Sequence, residues 1–173
     1  MAKSEEVKFY KLHEDAVEPK YATAHSACFD LAYCGSGDGK ITLYDHMNKK
    51  KERQLGGDFT LAIAPGERVL VPTGLVFDIP TGWSLRLHVR SGTALKQGLT
   101  LANSEGVVDA DYKLQTYILL TNLSGIVQEI HNLQVIAQGE IVPVKKVVFK
   151  QTDEYPKQTS ERDGGFGSTD KAV

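Results

Sequence analysis

The residues Trp83-Ser84-Leu85-Arg86-Leu87-His88-Val89-Arg90 alternate apolar and polar without a break. A period of two is the pattern of a strand with one buried face. Trp83, Leu85, Leu87 and Val89 are therefore expected to point inward, and Arg90 to emerge on the polar side at the strand's end. The turn Pro80-Thr81-Gly82 precedes this run, and residues 68–79 read as two brief strands broken at Pro72-Thr73-Gly74. Residues 7–12, 29–33, 40–44, 59–63, 116–121, 126–130, 135–142 and 146–149 have the same texture: short, β-branched or aromatic, and bounded mostly by Gly, Pro, Asn or Asp. Helical periodicity is confined to Ser91–Gln97, with Ser91 as the expected cap. The pattern predicts an all-β sandwich with at most one short helix.

With 173 residues the chain is expected to be one domain with its own core. Two segments differ in texture. Residues 35–57 hold Gly-Ser-Gly-Asp-Gly and then Asn-Lys-Lys-Lys-Glu-Arg, which predicts a long exposed loop or hairpin within a β domain covering 1–150. Residues 151–173 are polar and Gly-rich, and are expected to form a flexible C-terminal arm that adds little core. Lys and Arg number 20 against 22 Asp and Glu, a net charge of −2, which argues against a duplex-binding protein. It leaves room for a local basic pocket. Two cysteines, Cys28 and Cys34, do not make a disulfide framework and fit a reducing compartment. The N-terminus has no apolar stretch of a secretory signal, and no run approaches the length of a membrane span. An intracellular, cytoplasmic protein with no membrane or nucleic-acid partner is the expectation.

Three blocks carry chemistry. Arg90-Ser91-Gly92 sits where a strand gives way to a helix N-terminus, where free amides and a guanidinium converge on a phosphate. A strand-end Arg pairing with a surface carboxylate has the same sequence. Asp109 follows Val107-Val108, so its carboxylate is expected at the edge of a partly desolvated site as a base for water. The alternative is that Asp109-Ala110-Asp111 forms a polar turn. The block Arg162-Asp163-Gly164-Gly165-Phe166-Gly167-Ser168-Thr169 has the composition of a phosphate nest with a stacking aromatic, or of a plain flexible tail. His25, Cys28 and Cys34 lack a fourth ligand at metal-site spacing and read better as buried thiols and a stray histidine. His13, His46, His88 and His131 are scattered.

Taken in order, Ala27-Cys28-Phe29-Asp30-Leu31, Arg90-Ser91-Gly92, Asn103 through Tyr112, Val135-Ile136-Ala137-Gln138 with Pro143-Val144, and Arg162 through Thr169 resemble the five motifs of the trimeric dUTPase family. The likeness spans residues 24–169. It implies a jelly-roll β-sandwich that assembles as a homotrimer, with sites at subunit interfaces and the C-terminal arm reaching a neighbour. It implies hydrolysis of dUTP to dUMP and pyrophosphate with Mg²⁺, which limits uracil in DNA. By that resemblance Asp109 activates the attacking water. Asn103 and the backbone at Gly106 read the uracil edge, and Tyr112 packs on the deoxyribose. Arg90, Ser91, Gly92 and Gln138 hold phosphate. Asp30 reaches the metal through water or supports Arg90. Arg162, Gly164, Gly167, Ser168 and Thr169 belong to the arm that clamps the terminal phosphates, and Phe166 covers the base.

The chain departs from that pattern at named places. Cys28 stands where Gly is usual, Val89 where Pro is usual, and Lys113-Leu114-Gln115 replaces Arg-Gly-Glu. Leu133-Gln134-Val135 replaces a charged segment, Arg162 is one residue nearer Gly164 than usual, and Asp170 replaces a Gly. Residues 35–57 read as an insertion relative to compact members and as a possible docking point for a protein partner. These traits fit a divergent member of viral or phage type, which would work in a host cytoplasm. Two alternatives stay open: a dCTP deaminase-like enzyme of the same fold, and a nucleotide-binding regulatory module that signals through the 35–57 segment or the arm.

Overall fold

A computed structural model describes residues 6–160. Strands β1 (Lys8–Lys11), β2 (Lys20–Tyr21) and β3 (Phe29–Ala32) precede a hairpin of β4 (Lys40–Tyr44) and β5 (Lys50–Gln54). β6 (Leu61–Ile63), β7 (Arg68–Pro72) and β8 (Leu75–Asp78) lead to β9 (Trp83–Val89) and the short helix α1 (Ser91–Gln97). β10 (Leu99–Leu101), β11 (Gly106–Val108), β12 (Tyr117–Asn122), β13 (Gln128–Ile130) and β14 (Val135–Pro143) complete the order. One five-stranded sheet runs β10-β12-β7-β4-β5 and the other β11-β9-β14-β3-β2, with the two-stranded pairs β1-β8 and β13-β6 beside them. Every pairing among the described residues is antiparallel. The architecture is the expected jelly-roll sandwich with one short helix.

The core lies between the two large sheets. Ile41, Leu43, Val69, Val71, Ile118 and Leu120 fill it from one side, and Leu31, Leu85, Leu87 and Ala137 from the other. Gly139 of β14 has a packing reason: a Cβ there would lie 2.6 Å from Phe29 and 2.9 Å from Leu85. The alternation in β9 places Leu85 and Leu87 in the core, but its ends behave differently. Trp83 and Val89 are half-buried, whereas Ser84 is buried with no hydrogen-bond partner for its hydroxyl among the described residues. Helix α1 also differs in its start. Arg90, with extended backbone at φ −75° and ψ 143°, occupies the cap position, and Ser91 is the first helical residue. The chain leaves β9 directly into the helix, so the residue at the junction has no side chain of capping type. Gly98 closes the other end at φ 63°, donating its N–H to Ala94 O.

Residues 35–57 are a sheet hairpin rather than a surface loop. Ile41 and Leu43 of β4 are buried, and β4 pairs with both β5 and β7. β5 carries no apolar alternation, so its pairing is invisible to a periodicity argument; it is held as an exposed edge of Lys, Glu and Arg. Residues 146–149 form no strand, and Val148 and Phe149 are 96% and 93% exposed. Among the described residues they pair with no sheet edge, and an unpaired strand is not stable alone. No helix among the described residues is long and apolar enough to cross a membrane.

Two charge devices hold the hairpin. Asp45 accepts hydrogen bonds from the Met47 and Lys49 amides at 2.9 and 3.0 Å and pairs with Lys51 at 2.8 Å. The Lys51 contact first, and then the Lys49 amide, lower its carboxyl from 3.8 to about 2. Arg53 reaches from β5 to Glu67, 2.8 and 3.2 Å from its carboxylate oxygens, and also donates to the Ala62 carbonyl. Glu67 is buried and accepts the Ala64 amide as well. Removing Arg53 strands a buried carboxylate, so Arg53→Ala should cost about 2–4 kcal/mol in denaturant unfolding, while Lys51→Ala costs less than about 1 kcal/mol. Because the Asp45 carboxyl is lowered on folding, its contribution is present above pH 3.8 and disappears as pH falls toward 2. NMR titration of the Asp45 carboxyl carbon should give a midpoint well below that of an exposed aspartate.

Candidate active site

Strand pairing decides which of the expected groups can meet. β9 is bonded on one side to β14 and on the other to β11, with Gly106 opposite Leu87 and Val108 opposite Leu85. Gly106 is required by that closeness, since a Cβ would lie 2.8 Å from the Leu87 Cβ. Extending the register by one residue brings Asp109 level with Ser84. Arg90 stands six residues farther along the same strand. At the strand rise this is about 20 Å. Within one chain the expected base and the expected phosphate-binding Arg lie at opposite ends of a strand pair.

At the Arg90 end, Arg90, Ser91, Gly92, Thr93, Lys96, Gln97 and Gln134 line an open cleft of about 500 Å³. Asp30 Oδ1 of β3 lies 3.7 Å from Arg90 Nε, and Gln138 of β14 donates from Nε2 to the Val89 carbonyl at 3.5 Å. The first turn of α1 contains no acidic residue and no side-chain cap. Its amides, the Arg90 guanidinium and Lys96 thus share one cleft, an arrangement that favours an anion. Lys96 and Gln134 were not singled out by the sequence reading. They reach the cleft through the helix turn and the β13–β14 connection, which only tertiary structure reveals.

At the other end, Asn103, Gly106, Val107, Val108, Asp109 and Tyr112 line a cleft of about 400 Å³, together with Leu70, Leu87, Leu101, Thr116, Tyr117 and Leu119. β11 stops at Val108, and the Tyr112 amide donates to the Asp109 carbonyl at 3.1 Å, closing the turn that the sequence also allowed. Tyr112 donates its hydroxyl to the Gln115 carbonyl at 2.9 Å, and the Gln115 amide donates to the Tyr117 hydroxyl at 2.8 Å. These contacts fix the tyrosine at the cleft's rim. Asp109 also borders a second opening of about 610 Å³ with Thr81, Gly82, Trp83, Ala110, Asp111, Val144 and Lys146. The desolvated setting expected for Asp109 is not present, because Asp109 is exposed. The strand that should shield it ends one residue earlier. Thr116, buried with an unpartnered hydroxyl among the described residues, is a lining group that no motif announced.

Arg162, Gly164, Phe166, Gly167, Ser168 and Thr169 lie outside the described residues. Cys34 is buried, as expected of a structural thiol, and its Sγ lies 3.9 Å from Asp15. Cys28 is half-buried, and its neighbours are His88 and Glu140 rather than His25 or Cys34. Burial first, and then the Glu140 charge, push the Cys28 thiol up from its ordinary value. For Mg²⁺, no group of three carboxylate, imidazole or thiol ligands among the described residues includes Asp30. A single carboxylate beside an anion cleft fits an ion held mainly by phosphate oxygens and water.

The dUTPase family model matches residues 57–170, and the chain belongs to that family. It is 38% identical over 159 residues to the deoxyuridine 5'-triphosphate nucleotidohydrolase of Hydrogenobaculum sp., covering 92% of this chain and 94% of that one. The Wolbachia enzyme of the same name from Culex pipiens is 40% identical over 152 residues, with 87% and 85% covered. Among solved structures, a dUTPase from Streptococcus mutans superposes with TM-score 0.60 at 26% identity, covering 82% of this chain and 98% of that one. A Staphylococcus phage 80alpha dUTPase superposes with TM-score 0.72 at 20% identity over 97% of this chain and 99% of that one, a likeness of fold.

The two motif glycines at the cleft ends should respond differently. Gly106→Ala forces a Cβ against Leu87 and should lower unfolding stability by about 1–3 kcal/mol. Gly92 faces open space, so Gly92→Ala should unfold at the same denaturant midpoint as the native chain or above it. Paired urea melts test both.

Proposed function

We infer that the chain hydrolyses dUTP to dUMP and pyrophosphate, as a homotrimer whose sites are shared between subunits. One observation carries the reading: the cleft lined by Asn103, Gly106, Asp109 and Tyr112 has its carboxylate about 20 Å along β9 from the anion-binding end at Arg90. A triphosphate with its base cannot use both within one chain. A second copy that brings its Arg90 cleft to this chain's Asp109 completes the set. The exposed Val147, Val148 and Phe149 support the same assembly, since they are apolar groups without cover in their own subunit.

In that site Asn103 and the backbone at Gly106 pair with the uracil edge, and Tyr112 packs on the sugar and refuses a 2′-hydroxyl. Asp109 orients a water toward the α-phosphorus and takes its proton. Arg90, Ser91, Gly92 and Gln138 bind phosphate oxygens, while Asp30 steadies Arg90. Neutralisation of triphosphate charge is the chemistry Mg²⁺ supplies when bound, with Asp30 reaching its water shell. The arm residues Arg162, Gly164, Gly167, Ser168 and Thr169 close over the terminal phosphates, and Phe166 covers the base. Enclosure by a neighbour and the arm provides the desolvation that Asp109 lacks alone. The hairpin at 35–57 is read as an addition to the shared domain, its exposed edge β5 lying at the end of the sheet.

Asp109→Asn should lower kcat for pyrophosphate release from dUTP by about 10²–10⁴-fold while nucleotide binding persists. Ammonia release from dCTP, or unchanged turnover in Asp109→Asn, would overturn the assignment. The shared site has its own test. Inactive Asp109→Asn and Arg90→Ala chains, refolded together, should regain activity, because random assortment restores about one site in four. A mixture as inactive as its components would place both residues in one subunit's site.

A further inference from the structure

Cys28, His88 and Glu140 come from three neighbouring strands and play no part in the site above. Their ligand atoms, a thiol sulfur, a ring nitrogen and a carboxylate oxygen, all lie within 4.8 Å of one another. We propose that Cys28, His88 and Glu140 form a binding site for a borderline-soft divalent metal of the zinc class, separate from the Mg²⁺ used with the nucleotide.

The register explains how residues so far apart in sequence converge. Asp30 pairs with Gln138 and Phe29 with Gly139, so Cys28 comes opposite Glu140 just beyond the end of β3. On the other side of β14, Gln138 pairs with His88, which leaves His88 diagonal to Glu140 on the same outward face. His88 Nε2 stands 3.6 Å from Glu140 Oε2. Zinc–ligand bonds of about 2.0–2.3 Å require ligand–ligand edges of about 3.3–3.7 Å in a tetrahedron. The His–Glu edge already has that length, and the Cys28 sulfur lies within 4.8 Å of both.

Competition for the carboxylate is low. Arg86 lies directly opposite Glu140 on β9, yet its guanidinium pairs with Glu105 at 3.2 Å. The ion pair recorded for Glu140 is with His88. Binding breaks the Cys28 S–H bond, forms a metal–sulfur bond and releases the proton to solvent, with no change of oxidation state. Thiolate and imidazole ligands select against Mg²⁺, which takes oxygen ligands. Cys28 also occupies the place where the resembling motif usually has Gly.

The test uses the full chain, stripped with chelator and free of nucleotide, titrated with Co²⁺. We expect one Co²⁺ per chain, a near-ultraviolet thiolate-to-cobalt charge-transfer band, displacement by Zn²⁺, and no displacement by Mg²⁺. Cys28→Ser should abolish the band, and His88→Gln and Glu140→Gln should each weaken binding at least about tenfold while the chain stays folded by circular dichroism. Cys34→Ala should leave the band in place. Absence of stoichiometric Co²⁺ binding by the native chain at micromolar metal overturns the proposal, as does a band that survives Cys28→Ser. Neither result depends on dUTP turnover.

Discussion

The register between β9 and its two neighbours is the constraint from which the site follows. It is set by two missing side chains. Gly106 lets β11 approach Leu87, and Gly139 leaves space for Phe29 and Leu85 where β14 crosses the sheet centre. A one-residue slip on either side would invert the faces of the paired strand and expose Leu85 or Val108. The same register stations Asp109 near Ser84 and leaves Arg90 at the far end. Core packing and the separation of Asp109 from Arg90 are thus two outcomes of one alignment.

Much of the sandwich was legible because a strand with one buried face writes its period into the sequence. β4, β7, β8, β9 and β14 were read from alternation, apolar runs and the Pro-Gly punctuation. β5 was not, because a polar edge strand is defined by the backbone it pairs with, and Lys50 through Gln54 carry no buried set. Residues 146–149 show the converse error. Their composition is that of a strand, but strand formation needs a partner edge, and no edge among the described residues pairs with them. For the candidate site, the motifs pointed to Arg90, Asn103, Asp109 and Tyr112, which line two separate clefts. Lys96, Gln134 and Thr116 remained hidden because each enters a cleft through tertiary placement. The Cys28–His88–Glu140 group was hidden for a stronger reason. Its ligands lie 52 or more positions apart along the chain, and cross-strand neighbours have no spacing rule.

Charge is handled locally throughout. A net charge of −2 gives no general attraction for a triphosphate. The Arg90 end offers a guanidinium, Lys96 and uncapped helix amides within one cleft, which replaces bulk charge with oriented donors. The hairpin uses the opposite approach. Glu67 is buried and Arg53 is committed to it, so the hairpin's charge is spent on anchoring β5 rather than on binding. Lys49, Lys50 and Lys51 remain on the outer edge, where they keep an open strand from pairing with other chains.

The proposed metal cluster and the residues proposed to hold phosphate follow the same three strands. Asp30 lies two residues from Cys28, Arg90 two from His88, and Gln138 two from Glu140. A two-residue step along a strand keeps the same face, so the sets form parallel rows across β3, β9 and β14. An ion bound by the first row would tie these strands together beside the second. What separates the rows is donor chemistry. Sulfur and imidazole in one row favour a zinc-class ion, whereas Asp30 alone leaves the other to an oxygen-bound ion carried largely by its substrate. The two rows therefore suit different ions, although they share one sheet.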